Sequence, residues 1–372
     1  MIPLIIFAII AFVLFSDAYL KPSIFKYITM IFSSIFGIIV GFNYYEMAAD
    51  ILIKKDFVPN MAQGLAFLLI SAISFALFKA IGDYAIRSEI KFPEKAAKTV
   101  SYILSFVFAM IVTGGLFIFL ALLPMSPKYP YPRFANMVVL TDTKGEISPA
   151  KFSLNLDGMI TGLFSSVSAG SFSSPKSFGV IHNSFLNDCY LNRHQIKNAE
   201  RPIKAVTGYQ AIQIDMSDKN TVRKAHTNLK NEEGKDMPQM DGKELYIIKC
   251  PFNLRLVSNG GVCESGSNLE LLPCQLRIIC NTDYENGLKG KGVSVYPYGY
   301  IKNGKVARLN LITVTDIEKE KDDTVNSTMP VSVAFYVPKG QIPVAVAYKQ
   351  NFIAQLPEQP SKESVSDEAE KN

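Results

Sequence analysis

The chain has 372 residues, a hydrophobic fraction of 48% and a formal net charge of +5. Charge is unevenly spread: residues 1–123 hold nine Lys/Arg and seven Asp/Glu between long uncharged stretches, and the remainder has the balance of a soluble protein. This excludes an ordinary cytosolic enzyme, a disordered chain and a collagen-like fibre, and the charge is too small and scattered to suggest a nucleic-acid partner.

Four apolar stretches, at about residues 2–20, 24–43, 61–82 and 99–123, are expected to cross a bilayer. A hydrocarbon core of about 30 Å takes about 20 helical residues. Lipid offers no partners to open backbone, so each span is read as a helix. No basic residue precedes the first apolar core, which argues for an uncleaved helix over a signal peptide. Lys21, Lys26, Lys79, Arg87, Lys91, Lys95 and Lys98 lie toward one side of the bilayer, and Lys54, Lys55, Lys128 and Arg133 toward the other. Seven against four puts the N- and C-termini outside the cytoplasm.

Small residues recur at four-residue spacing: Ser33, Gly37 and Gly41 in the second span, Ala72, Ala76 and Ala80 in the third, and Ser101, Ser105, Ala109 and Thr113 in the fourth. Such faces let helix backbones approach closely, within one bundle or between copies in a homo-oligomer. No span carries an acid or base near its middle, so the four helices alone do not suggest transport, and a pore made by oligomers stays open as an alternative.

Three segments share a pattern. SSIFGIIVGFNYYEMAADIL (33–52) has a Gly-rich helix end followed by an aromatic and acidic exit. IKFPEKAAKTVSYILSFVFAMIVTGGLFIFLALLP (90–124) has an amphipathic lead-in and a last helix ending in Leu-Pro. LDGMITGLFSSVSAGSFSS (156–174) reads as a short amphipathic helix ending in Ser/Gly-rich text. With the four-helix layout, these resemble the CvpA (colicin V production) family of bacterial inner membranes, in its long planctomycete-type form. The sequence departs from that family in having no acid within residues 1–15. The resemblance implies a multi-pass inner-membrane protein tied to toxin export or envelope physiology. The family carries no agreed activity, so no catalytic residue is implied.

Residues 124–149 open with Pro124, Pro127, Pro130 and Pro132, which favour extended backbone, and Tyr129 and Tyr131 suit a membrane interface. Residues 150–168 carry apolar side chains at helical period, with steps 152-156-159-163 and 156-160-163-167. This predicts an amphipathic helix, against the membrane or against the following domain. The rest of 150–240 is mixed and polar. Residues 241–356 hold six runs rich in β-branched and aromatic residues, at 244–257, 272–282, 292–301, 305–316, 330–339 and 342–356. Asn303 and Gly304 between two runs predict a type I′ hairpin, and residues 338–340 another turn. The expected fold is therefore a four-helix transmembrane bundle followed by a mainly-β soluble domain, a sandwich or barrel, with one amphipathic helix. Residues 357–372 are acidic and read as disordered.

Cys189, Cys250, Cys263, Cys274 and Cys280 all lie after the spans. Outside the cytoplasm, the last four could form two disulfides in any of three pairings; the alternative is free buried thiols. Their spacing does not suit zinc, and His182, His194 and His226 show no i, i+4 pair. There is no G-x-S-x-G, P-loop or G-x-G-x-x-G. Asp283, Glu285, Asp316 and Glu318 flank strand ends as acids without a recognisable partner. The sequence thus predicts no catalytic, cofactor-binding or metal residues. It predicts a non-enzymatic membrane protein that works through the bilayer and an envelope protein or glycan, with an oligomeric transport or channel component as the alternative.

Overall fold

The computed structural model describes residues 2–55, 57–86, 92–126, 128–133, 154–170, 176–193, 212, 214–218, 220–225, 229–253, 263–265, 268–285, 287–307, 312–314, 328–349 and 353–358. They divide into two compact units, one made by the residues up to Arg133 with those to Phe164, the other by the residues from Ser165 onward.

The first unit starts with α1 (Ile2–Leu20), α2 (Ile24–Lys54), α3 (Ala62–Ala85) and α4 (Glu94–Ala121). Each is long and apolar enough to cross a membrane. α2 runs on to Lys54, beyond the 43 expected, because its amphipathic exit continues the helix. Ser23 caps α2 by accepting from the Lys26 backbone N–H at 3.4 Å. Asp17 pairs with Lys26 and accepts from the Tyr27 hydroxyl at 2.6 Å, which ties the α1–α2 turn.

Aromatic rings set the packing of this unit. Phe7 meets Phe106 edge-on at 5.6 Å, which joins α1 to α4. Phe42 meets Phe67 at 5.2 Å and Phe36 meets Phe78 at 5.3 Å, which joins α2 to α3. The outward faces carry Phe12, Leu20, Ile73, Leu77 and Ile103, each more than half exposed. On helices of this length such faces suit lipid. A fifth helix, α5 (Leu156–Ala169), is the amphipathic one expected, and the boundary between the units falls within it.

The second unit holds α6 (Phe178–Ile181) and α7 (Phe185–Leu191), in a region expected to be mixed and polar. Its strands are β1 (Val222–Lys224), β2 (Lys243–Asn253), β3 (Cys263–Ser265), β4 (Asn268–Leu271), β5 (Leu276–Asn281), β6 (Val293–Val295), β7 (Gly299–Lys302), β8 (Lys305–Ala307), β9 (Ile312–Val314), β10 (Thr328–Pro338), β11 (Ile342–Tyr348) and β12 (Ile353–Gln355). One antiparallel sheet has the order β1-β2-β10-β7-β8 and a second β12-β11-β5-β6; β3, β4 and β9 form a small third one. β2 and β10 pair along their whole length, from Asn253 with Thr328 to Lys243 with Pro338.

Ile248, Phe252, Val333 and Phe335 from the first sheet pack with Leu276, Ile278, Val346 and Tyr348 from the second in one core. Of the two forms expected, sandwich or barrel, this is a sandwich. The second sheet is covered on its other face as well. There Ile279, Val344, Ala345 and Ala347 pack with Val180 of α6. Every residue of β5 is therefore buried. Asn303 and Gly304 both have positive φ, 50° and 74°, as a type I′ turn requires. Gly340, at φ 82°, turns the chain from β10 in one sheet to β11 in the other. The acidic tail from 359 lies outside the described residues.

Candidate functional site

The small residues singled out from sequence divide by helix. Ser33, Gly37 and Gly41 are buried on α2. A Cβ on Gly37 would meet the Ser71 carbonyl oxygen at 2.8 Å and the Phe75 nitrogen at 3.1 Å, so α2 and α3 touch backbone to backbone here. A Cβ on Gly41 would meet the Ser71 hydroxyl. Ala72, Ala76 and Ala80 are exposed. α3 instead meets α2 through the Phe67 ring, the Ser71 hydroxyl and the backbone at Ser71 and Phe75, while the Phe75 ring stacks on Phe108 of α4. On α4, Ser101, Ser105, Ala109 and Thr113 are buried. The Ser105 hydroxyl donates to the Tyr102 carbonyl at 2.9 Å, which satisfies it within its own helix.

A buried charge cluster lies in the same unit, built from residues outside the four spans. Leu156, Ile160 and Phe164 form the buried stripe of α5. Leu156 and Ile160 press on Gly114 of α4, where a Cβ would meet Ile160 Cγ1 and the Leu156 carbonyl oxygen at 2.8 Å. Phe164 stacks on Phe42 of α2 at 4.7 Å. Asp157, in the first turn of α5, is fully buried. Its carboxylate accepts from the Tyr131 hydroxyl, from Arg133 Nη1 at 3.1 Å and from the Gly158 backbone N–H at 2.9 Å. Tyr131 also lies edge-on to Phe117 of α4 at 6.1 Å. Sequence reasoning missed this cluster because it searched the spans for charge. The available signal was one acid within the apolar stripe of a short helix.

In the β-rich unit, β5 points Arg277 away from the core toward the helices. Arg277 Nη1 lies 3.3 Å from Asp188 Oδ2 of α7, and its Nη2 donates to the Ile181 carbonyl at 3.2 Å. The Tyr296 hydroxyl donates to Asp188 Oδ1 at 2.6 Å. Burial pushes the Asp188 carboxyl up, against the pull of Arg277 and of the Tyr296 hydrogen bond. His182 is buried between Phe178 and Phe185, at ring distances of 5.0 and 5.7 Å. His194 and His226 lie outside the described residues, as do Asp316 and Glu318. Asp283 accepts from the Glu285 backbone N–H at 3.0 Å in an exposed turn.

Cys189, Cys250, Cys274 and Cys280 are buried, and Cys250, Cys274 and Cys280 are free thiols. Burial pushes the thiols of Cys250, Cys274 and Cys280 up to about 12, so they resist ionisation. No bridge joins these three. Cys263 lies in β3, and its side chain is outside the described residues. Lys349, at the end of β11, is 2% exposed, and burial brings its ammonium down to about 7. Among the described residues no three His, Cys, Asp or Glu side chains gather where a metal could sit.

No family model, curated protein or solved structure matches the chain, and nothing in these comparisons identifies a CvpA family member. Four membrane-length apolar helices ahead of a sheet-rich unit define a membrane-anchored protein. Its finer role rests on the sites described above.

Proposed function

We propose that the chain is a multi-pass inner-membrane protein whose β-rich unit stands outside the cytoplasm and binds an envelope protein or glycan without catalysis. The role would lie in export or envelope physiology, as the CvpA resemblance implies. One observation carries this reading: an apolar four-helix unit is followed, in one chain, by a sheet sandwich with a core of its own. The loop Lys/Arg bias supports the orientation. In the β-rich unit the buried Asp188 is engaged structurally, by Arg277 and Tyr296, which supports binding over chemistry.

The test is labelling in cells with a permeabilised outer membrane. Because the described native thiols are buried, the reporter is an introduced one, Lys235→Cys, in an exposed turn. A membrane-impermeant maleimide should label it in intact spheroplasts. Labelling only after lysis would put the unit in the cytoplasm and overturn the proposal.

A second reading, an oligomeric transport or channel component, is favoured by the buried Arg133–Asp157 pair, since ionisable groups inside membrane bundles often line solute paths. A solute flux in reconstituted vesicles that Asp157→Asn abolishes would replace the first reading with this one.

A further inference from the structure

We propose that the first half of α5 is embedded in the bilayer as a re-entrant helix. Its outward face, Met159 and Leu163, would meet lipid acyl chains, and Arg133 would enter with it as the partner of Asp157. The argument is one of depth. Lys98 is the last charged residue of α4, and α4 continues uncharged to Ala121. A bilayer core of about 30 Å takes about 20 helical residues. Every window of that length between Lys98 and Ala121 contains both Gly114 and Phe117. Gly114 is the residue on which Leu156 and Ile160 rest, and Phe117 is the ring against Tyr131. The chain that leaves α4 therefore returns to hydrocarbon depth at Tyr131, and α5 starts from that depth.

Length and chemistry agree with this placement. At 14 residues α5 is about 21 Å long, too short to span but long enough to run from that depth back to the surface. Its buried stripe of Leu156, Ile160 and Phe164 faces α4 and α2. Along the exposed edge of that stripe Met159 and Leu163 are 44% and 51% exposed, both apolar and one helical turn apart. At that depth a face not covered by protein is covered by acyl chains, which is the occupant proposed. A lone carboxylate there would be costly, and Arg133 with Tyr131 supplies the neutralising contacts. The backbone that enters is shielded where it lies against α4, as irregular backbone at membrane depth must be.

The chain has no tryptophan, so a single introduced one reports alone. Met159→Trp and Leu163→Trp, in the full chain reconstituted in phosphatidylcholine vesicles, are compared with Leu77→Trp on the lipid face of α3 and Lys235→Trp in an exposed turn. The expected result is blue-shifted emission that brominated phosphatidylcholine quenches as strongly as it does in Leu77→Trp, with little quenching by iodide. Iodide quenching at the level of Lys235→Trp would show water and overturn the proposal. Quenching by neither agent would show protein cover, a second copy included, and would overturn it as well. A carbene photolabel confined to the bilayer interior gives a readout on the unaltered chain. Its incorporation into the peptide holding Met159 and Leu163 is expected, and labelling of α1–α4 alone would overturn the inference.

Discussion

Arg133 and Asp157 form a buried ion pair, 3.1 Å between Nη1 and Oδ2, although they lie 24 positions apart in the chain. Neither belongs to a membrane span. Together they fix the start of α5 against α4, where the Tyr131 hydroxyl shares the same carboxylate.

Removing one partner leaves the other buried and uncompensated. Asp157→Ala should cost about 3–5 kcal/mol. The double variant Arg133→Met with Asp157→Leu should recover most of that loss, since well-packed apolar side chains replace a buried pair at little cost. Thermal melts of the detergent-solubilised chain check both. A double variant no more stable than Asp157→Ala would show that the pair supplies more than mutual neutralisation.

The two glycines of α2 should respond unequally. Gly37 faces backbone of α3, which cannot step aside, whereas Gly41 faces the Ser71 hydroxyl, which can rotate. Gly37→Ala is expected to cost about 1–3 kcal/mol by overpacking, and Gly41→Ala less. Gly162→Ala meets nothing within 4 Å and should be neutral or gain about 0.5–1 kcal/mol from helix propensity. Melting temperatures of the three variants in one detergent give the ranking.

In the sandwich, Tyr296→Phe removes one hydrogen bond to a carboxylate and should cost about 1.5–3 kcal/mol. Asp188→Ala leaves Arg277 without its counter-ion and should cost about 3–5 kcal/mol. Hydrogen exchange should show the loss first in β5 and β6, because Arg277 lies on β5 and Tyr296 directly follows β6. Uniform loss across both units would contradict this placement.

Stability should pass through a maximum on the alkaline side. Lys349 falls from its ordinary 10.5 to about 7 when buried. Between those values the unfolded chain holds the extra proton, so stability rises with pH from about 7, by up to about 1.4 kcal/mol per pH unit. Cys250, Cys274 and Cys280 act the other way. Their pKa rises from 9 to about 12, so the stability they confer below pH 9 is lost as pH climbs toward 12. Three groups outweigh one, and near-ultraviolet circular dichroism melts should turn downward above about pH 9. Lys349→Met should remove the rise and leave the fall.

The spans were legible because length and apolarity are properties of the segment alone. The Asn303–Gly304 turn was legible because its positive φ values select those residue types locally. Burial of β5 on both faces was not, since Arg277 and Asn281 give its second face a polar pattern that only α6, α7 and the 287–289 turn explain. Nor could small-residue spacing show that Gly37 packs against α3 while Ala76 of α3 faces outward, because a small side chain permits contact from any neighbour and names none. The Arg133–Asp157 pair was hidden for a different reason: each charge alone reads as a solvated loop or helix-start residue, and only their approach makes a site.

The full-length ladder between β2 and β10 also orders events in time. Asn253 finds its partner in Thr328 only after the chain of β3 to β9 has been made, whereas each of α1–α4 closes its hydrogen bonds within itself. Contacts so distant along the chain form slowly. The anchor can therefore seat itself in the bilayer while the sandwich is still an open strand. Any passage of that unit through a translocation pore would take place in this unclosed state, with Cys250 already synthesised and the β10 strand that covers it still to come.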